Sequence, residues 1–232
     1  YVYAALVARS HFATENNDVE LAEELRARAE ALKSAFNRDF WLDEHGYFAM
    51  ALDADKTPVG GLASNMGHCL WTGIVDEEKA PLVARHLVSE PLFCGWGVRT
   101  LAETVKGYIP ISYHCGSVWP HDNAIAAAGL MRYGFVDEAH RVMEGPTPAA
   151  PFFDSRLPEL SAGLSRSQFR FPVSYPTSCS PQAWAAAAPL LFLRTMLRFE
   201  PDIRNATLSL APRVPEWIGA LALEQVPLMG GW

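Results

Sequence analysis

The sequence predicts an all-α fold of paired helices, with a short extended or β segment at its C-terminal end. Apolar residues recur at helical spacing in the segment that begins at residue 19, forming a stripe of Leu21, Leu25, Leu32 and Phe36. Two later segments carry a proline, Pro81 and Pro120, in the first turn of a predicted helix, where proline is tolerated. The run before residue 200 is apolar almost all round, which predicts a buried helix.

Taken in order, the predicted helices cover residues 2–12, 19–40, 64–73, 76–88, 117–133, 136–144 and 181–197. Asn16, Asn17 and Asp18 supply turn and N-cap side chains between the first two helices, and Gly60-Gly61 breaks the chain before the third. Residues 47–52 predict a strand or extended segment, and residues 206–210 predict a strand. Residues 145–180 form a Pro- and Ser-rich stretch without a clear period, and such long loops are usually functional or disordered. We therefore divide the chain into a helical domain, 1–200, and a β or irregular tail, 201–232.

Composition excludes several classes of partner. The 232 residues include 19 Lys and Arg against 26 Asp and Glu, a net charge of −7. Nucleic acid and anionic membranes both require a basic face, so neither is expected as the main partner. No apolar run reaches the roughly 18 residues of a membrane span. The aromatic content of 11% excludes global disorder.

The cysteines indicate the compartment, and the first residue indicates how much of the protein the sequence covers. The 4 cysteines are widely spaced and form no Cys-x-x-Cys pair, so we expect reduced, mostly buried thiols and a cytoplasmic location. The sequence opens at Tyr1 inside a predicted helix, so we expect that an N-terminal part of the protein is missing. The lack of a targeting signal is then uninformative.

The densest group of polar and aromatic residues is Ser112-Tyr-His-Cys-Gly-Ser-Val-Trp-Pro-His-Asp-Asn123, at a loop-to-helix junction. Free backbone N–H groups at a helix start bind polar ligands, which favours a functional site. The structural alternative is that Ser117 caps the helix while His121 and Asp122 support the fold. Ser64 and Asn65, at another helix start, and Trp96 and Arg99, on a glycine loop, are equally open to capping or surface roles.

The mixture of residues in these loops points to sugar. Aromatic rings stack on the C–H faces of a sugar, and polar side chains bond its hydroxyls at the edge. Glu159, beside a rigid proline in the long loop, is a candidate general base, because such a base must be held and partly desolvated. A zinc site at His68-Cys69 and His114-Cys115 is the weaker alternative, since zinc needs three or four converging ligands. We expect neither a metal nor an organic cofactor.

Several motifs together resemble a known family. In order along the chain they are Ser64-Asn-Met-Gly-His68, Gly95-Trp-Gly-Val-Arg99, Tyr113-His-Cys-Gly-Ser-Val-Trp-Pro-His-Asp-Asn123, Leu157-Pro-Glu-Leu160 and Ser180-Pro-Gln-Ala-Trp184. The set is similar to the C-terminal part of bacterial amylo-alpha-1,6-glucosidase (glycogen-debranching-like) proteins, which are (α/α)6-toroid glycoside hydrolases. The resemblance runs from residue 1 to about residue 217 and implies a partial toroid, roughly its C-terminal half.

The resemblance also implies roles for individual residues. Glu159 maps onto the general base of an inverting mechanism, and the general acid would lie in a Trp-Lys-Asp segment upstream of Tyr1. The implied substrate is a glucan or oligosaccharide with α-glucosidic bonds, including α-1,6 branches. This chain departs from the family at Ser161-Ala162-Gly163, where members usually have Phe-Cys-Gly. The expected substrate-binding residues are Ser64, Asn65, His68, Trp96, Arg99, His114, Trp119, His121, Asp122, Gln182 and Trp184.

Two alternatives to a hydrolase remain open at this point. One is a carbohydrate-binding remnant that keeps the aromatic cleft without catalysis. The other is a helical interaction module whose aromatic residues belong to its core. As a hydrolase, the chain would need the remainder of the protein to supply the acid, so alone it is expected to hydrolyse nothing appreciable, because protonation of a poor leaving group is lost.

Overall fold

A computed structural model describes residues 1–202 and 205–224. The helices are α1 (Val2–Glu15), α2 (Val19–Asp39), α3 (Asn65–Thr72), α4 (Ala80–Leu87), α5 (Pro120–Arg132), α6 (Val136–Glu144) and α7 (Ala183–Leu197). The strands are β1 (Trp41–Leu42), β2 (Tyr47–Phe48), β3 (Ala51–Leu52), β4 (Pro58–Val59), β5 (Glu200–Asp202) and β6 (Thr207–Ser209). Short 3-10 helices lie at Thr147–Phe153 and Glu216–Ile218.

The predicted helices are confirmed, with shifts at their ends. Asp18 begins α2 because its carboxylate accepts a hydrogen bond of 3.1 Å from the backbone N–H of Leu21. The start of α5 was predicted at residue 117 but lies at Pro120, because Trp119 has an extended backbone. Ser117 therefore does not cap α5. Its hydroxyl donates to the carbonyl of Tyr113 at 2.7 Å.

Helices α3, α5 and α7 form one layer, with α5 packed between the other two. The contact between α3 and α5 is close because glycines stand on both sides of it. A Cβ on Gly67 would lie 2.5 Å from the Cβ of Ala126, and a Cβ on Gly129 would lie 2.6 Å from the backbone nitrogen of Trp71. Since real Cβ atoms do not approach so closely, the absence of side chains sets the spacing of these helices.

A second layer is formed by α4 and α6, which pack on α3, α5 and each other, while α1 pairs with α2. The core lies between the layers and includes Leu70, Val83, Leu87, Leu130 and Val142, all fully buried. Successive helices join through short connections in α1–α2 and α5–α6, as in helical hairpins. This arrangement is an arc of an α/α toroid, in agreement with the predicted fold class.

The strands are peripheral. The predicted segment 47–52 divides between two antiparallel hairpins, because β2 pairs with β1 and β3 pairs with β4. The predicted strand at 206–210 is β6, which pairs antiparallel with β5. Residues 203–204 and 225–232 of the predicted tail lie outside the described residues, and the boundary at residue 200 stays a prediction.

The long segment 145–180 is held by backbone bonds to distant loops. The backbone groups of Val118 and Ser161 exchange two hydrogen bonds of 2.9 Å, and Ser161 also bridges to Ser174. Gly163 donates to the carbonyl of Pro110 at 2.8 Å. These bonds bring residue 159 to the end of the helical layer that carries the start of α5.

Two expectations about burial are corrected. Helix α7 is not buried all round, because Trp184 and Leu190 are 46% and 68% exposed while Phe192 and Met196 face the core. Cys115 and Cys179 are exposed rather than buried, although all 4 thiols are free. None of the described helices combines the length and apolar character needed to cross a membrane.

Candidate functional site

A cavity of about 850 Å³ opens at the N-terminal ends of α1, α3, α5 and α7. Its walls come from helix starts and from the loops before them, which are the segments where the sequence places its aromatic and polar motifs. The lining residues that were predicted as substrate-binding are Ser64, Asn65, His68, His114, Trp119, His121, Asp122 and Trp184. The helix layer therefore gathers residues that are up to 120 positions apart in the sequence, from 64 to 184.

One wall of the cavity is aromatic. The His121 and Trp184 rings stack with centroids 4.3 Å apart, and the His114 ring lies parallel to that of Trp119 at 6.1 Å. Trp119 and Trp184 meet edge to face at 5.9 Å. These rings pack on one another, and Trp184, which is 46% exposed, leaves ring surface open to the C–H face of a sugar.

The cavity also carries a chain of polar contacts. His68 Nε2 lies 2.6 Å from Oδ1 of Asp122, and His68 Nδ1 lies 2.7 Å from the hydroxyl of Tyr1. Oδ2 of Asp122 and Nδ1 of His121 are buried polar atoms without a hydrogen-bond partner among the described residues. Because buried polar groups are normally bonded, these two atoms are available to a polar ligand such as a sugar hydroxyl.

Glu159 is 6% exposed and lies beside this cavity, not among its lining residues. The hydroxyl of Tyr113 donates to its Oε1 at 2.5 Å, and the backbone N–H of Cys179 donates to its Oε2 at 3.2 Å. Gln182 and the thiol of Cys179 also bond the carboxyl. Tyr113 connects the carboxylate to the cavity, because its ring packs edge to face on Trp119 at 4.8 Å.

The hydrogen bonds keep Glu159 ionised. The Tyr113 hydroxyl, and next the Cys179 backbone N–H, lower the pKa of the Glu159 carboxyl, and burial opposes them more weakly. The same bond raises the pKa of Tyr113 to about 12, so the phenol stays protonated and remains a donor. Burial lowers the pKa of His121 from its ordinary value, with the nearby Asp122 carboxylate acting in the opposite direction. The site therefore presents an anionic carboxylate and a neutral imidazole near pH 7.

The structure places two of the predicted binding residues away from the cavity. Arg99 is 2% exposed, and its guanidinium donates to the carbonyls of Gly163, Glu90 and Pro91 while pairing with Glu103 at 3.2 Å. It ties loops together. Trp96 is buried, and its Nε1 donates to the carbonyl of Phe169 at 3.3 Å.

Gln182 is the N-cap residue of α7, where its side-chain oxygen accepts from the backbone N–H of Ala183 at 2.8 Å. It reaches the site through its bond to Glu159. As for metals, the described residues contain no group of three or more His, Cys, Asp and Glu side chains that could hold an ion. The two His-Cys pairs do not converge into one.

Sequence reasoning assigned no role to Tyr113, Tyr1 or Thr100, although the first contacts Glu159 and the other two line the cavity. Tyr113 stands inside the quoted motif, six residues before Trp119. Its position in that motif is the feature of the sequence that indicates a functional role. Its contact with Glu159 depends on the path of the segment 145–180, which has no periodicity to reveal it.

A family model described as the mannosylglycerate hydrolase MGH1-like glycoside hydrolase domain matches residues 1–150. The chain belongs to this family. The match covers the cavity residues of α1, α3 and α5, while Glu159 and α7 lie beyond it. The broader prediction of an (α/α)6-toroid glycoside hydrolase is thus confirmed, and the amylo-alpha-1,6-glucosidase type stays a prediction. No curated protein matches the sequence.

Solved structures share the fold at low identity. A sialidase is similar with a TM-score of 0.78 and 16% identity over 93% of this chain and 21% of its own. A GH63 mannosylglycerate hydrolase from Thermus thermophilus, in complex with glucose, gives 0.64 and 22% over 82% of this chain and 42% of its own. The neutral trehalase of Saccharomyces cerevisiae gives 0.62 and 18% over 84% and 36%. The chain thus spans less than half the length of each of these structures.

Proposed function

We propose that this glycoside hydrolase domain forms the general-base side of an inverting active site that hydrolyses α-glucosidic bonds in glucans or oligosaccharides. The observation that carries the proposal is the buried, anionic Glu159 held beside an aromatic cavity, two of whose buried polar atoms have no partner among the described residues. An ionised carboxylate beside the cavity can accept a proton from water, and in a binding protein it can accept hydrogen bonds from sugar hydroxyls, so a rate measurement must distinguish the two. Charged groups are expensive to bury, which favours a chemical role for this one.

The proposed chemistry uses two carboxyl groups. Glu159 accepts a proton from water, the water oxygen bonds to the anomeric carbon, and the glycosidic bond breaks with its electron pair leaving on the departing oxygen. A general acid protonates that oxygen. The two carboxyls of an inverting enzyme stand about 6.5–9.5 Å apart, so that the water fits between the base and the sugar.

The proposal places the general acid in a part of the protein that precedes Tyr1. Among the described residues that line the cavity, Asp122 is the only carboxylate, and its Oδ1 already contacts His68. This chain covers 42% and 36% of two of the comparison structures, which is in keeping with a contribution from a further segment. That N-terminal remainder is therefore the expected partner of this chain, beside the sugar itself.

α-Glucosyl fluoride tests the base side on the chain as it stands. Fluoride leaves without protonation, so hydrolysis of this substrate requires the base and the binding site but not the acid. We expect fluoride release by the 232-residue chain with β-glucose as first product, and a fall of about a hundredfold or more in Glu159→Gln. A fluoride electrode and proton NMR of the sugar measure both.

Glu144→Gln, an exposed change at the end of α6, is the matched control and should retain the wild-type rate. Equal rates for wild type and Glu159→Gln would contradict the assignment of the base. Binding of glucose or maltooligosaccharides by calorimetry, without any fluoride release, would favour the carbohydrate-binding remnant. If calorimetry shows no binding heat with any sugar, the result would favour the helical interaction module.

We further propose which type of glycosidic bond the site hydrolyses. The motif resemblance favours α-1,6 bonds at glucan branches, whereas the similar solved structures are named as a mannosylglycerate hydrolase and a trehalase. Competition between α-glucosyl fluoride and panose, maltotriose, trehalose or mannosylglycerate ranks these candidates by their inhibition constants. We also propose a cytoplasmic location, which the four free thiols favour and cell fractionation would test.

A further inference from the structure

We propose that Tyr113 is a positioning residue, which holds the Glu159 carboxylate by Oε1 and fixes it against the aromatic wall of the cavity. The inference deepens the proposed function and rests on it, since it concerns the orientation of the same base. Tyr113 is not expected to touch the reacting atoms.

Tyr113 is held at both ends. Its backbone carbonyl accepts from the Ser117 hydroxyl at 2.7 Å and from Trp119 Nε1 at 3.2 Å. Its ring meets His114, Trp119 and Tyr175 edge to face, with centroids 4.7, 4.8 and 5.7 Å away. A phenol gripped in this way directs its hydroxyl along one line, and that line ends at Oε1 of Glu159.

The backbone next to Glu159 is held by the two bonds between Ser161 and Val118, so the bond from Tyr113 bears on the carboxylate itself. The backbone of Glu159 has one described bond, from its N–H to the carbonyl of Cys179 at 2.9 Å, and Cys179 itself is exposed. Tyr113 supplies the short bond from a different loop, and its own side chain is half-buried. Since an error of about 1 Å in a catalytic group lowers rates by about a hundredfold, this bond matters for catalysis more than for folding.

The arrangement also connects the aromatic wall of the cavity to the base. Trp119 lines the cavity, its Nε1 fixes the Tyr113 carbonyl, and Tyr113 fixes Glu159. A sugar bound against this wall of the cavity therefore lies next to the element that orients the carboxylate. In the reaction, water gives its proton to that carboxylate while its oxygen bonds to the anomeric carbon, and the leaving group departs with the electron pair.

Replacement of Tyr113 by phenylalanine tests the role, because it keeps the ring and removes only the donor. We expect kcat for α-glucosyl fluoride to fall about tenfold or more with KM little changed. We also expect the acid limb of the pH profile to move to higher pH, as the pKa of Glu159 rises once its donor is lost. The other titratable groups facing this carboxyl are Cys179 and, at longer range, His121.

Carbon-13 NMR of the labelled Glu159 carboxyl gives its pKa in wild type and in Tyr113→Phe without any need for turnover. Tyr47→Phe, which removes the hydroxyl of a β2 tyrosine whose ring contacts are with His45 and His86, is the matched control and should change neither the Glu159 pKa nor kcat. Circular dichroism melting shows whether each variant folds. Tyr113→Trp, which also lacks the phenol, is the second variant if Tyr113→Phe does not fold.

The outcomes separate the two proposals. An unchanged Glu159 pKa in the folded variant overturns the role of Tyr113, whether or not the wild type releases fluoride. A raised pKa with unchanged kcat also overturns it, because the bond would then serve the fold alone. If the wild type releases no fluoride, the proposed function fails, while the NMR comparison still decides whether Tyr113 holds the carboxylate.

Discussion

Individual residues of the site are arranged at a cost in stability. Oδ2 of Asp122 and Nδ1 of His121 are buried without a described partner, and an unbonded buried polar atom costs about 1–3 kcal/mol. Asp122 is 7% exposed, so water does not readily relieve the cost. Such groups persist when a ligand completes their hydrogen bonds. This pattern is typical of a binding site, and it is visible only in the folded chain.

His121 makes stability depend on pH. Burial lowers the pKa of its ring in the folded chain, so the unfolded chain binds a proton more readily, with an ordinary pKa of about 6.5. Stability is then complete above that pH and is lost as the pH falls through the folded pKa.

We expect the urea midpoint to decrease between pH 7.5 and 5, and to decrease less in His121→Gln. Urea titrations at a series of pH values, followed by circular dichroism, measure this. The control His11→Gln changes a histidine on the exposed surface of α1 and should keep the wild-type slope. Parallel curves for wild type and His121→Gln would contradict the prediction.

At the scale of elements, the close packing of α3 against α5 sets the geometry of the site. The two helices carry His68 and Asp122, whose contact of 2.6 Å depends on the short distance that Gly67 allows. The same glycines would be read from sequence as helix weaknesses. In the folded chain, these glycines allow the neighbouring helix to approach closely.

Gly67→Val should therefore separate the helices. We expect a loss of about 1–3 kcal/mol of unfolding free energy from overpacking, together with weaker sugar binding as His68 and Asp122 move apart. Urea denaturation and calorimetry with glucose test the two effects. Gly60→Val adds the same side chain where the nearest atom to a new Cβ is 3.7 Å away, and should cost far less. Comparable losses at both positions would argue against the packing explanation.

The helices were predictable because apolar residues repeat with the period of the helix and because caps and prolines mark their starts. The bounds of α6, Val136–Glu144, agree with the prediction, since its apolar residues recur at helical spacing between charged ones. For helix α7 the predicted burial on all sides was wrong. A sequence that is apolar all round gives no indication of which face packs against α5 and which remains exposed.

The whole molecule is an arc with uncovered apolar side chains on its first and last helices. Val2 and Phe12 of α1 are 67% and 65% exposed, and Leu190 of α7 is 68% exposed. Large exposed apolar surfaces usually mark a place where another surface packs.

We therefore expect the 232-residue chain by itself to associate at micromolar concentration. Sedimentation velocity should show species heavier than 25.6 kDa, and Leu190→Lys should shift the distribution towards the monomer. Glu23→Gln changes the net charge by the same amount on the exposed face of α2 and should have no such effect. A purely monomeric wild type with a sharp, reversible melting transition would refute the prediction.

By itself, the sequence determined the helical class, the order of the helices and the loops that carry aromatic and polar residues, because these follow from local spacing and turn chemistry. Its motifs also identified Glu159 as the candidate base. Only the tertiary structure decided which of the predicted site residues lie close together. It gathered His68, Trp119, Asp122 and Trp184 at one end of a helix layer, and it turned Arg99 and Trp96 into loop anchors. The physical reason is that such meetings depend on how closely helices approach and where an aperiodic loop is tied, and both depend on contacts between residues far apart in the chain.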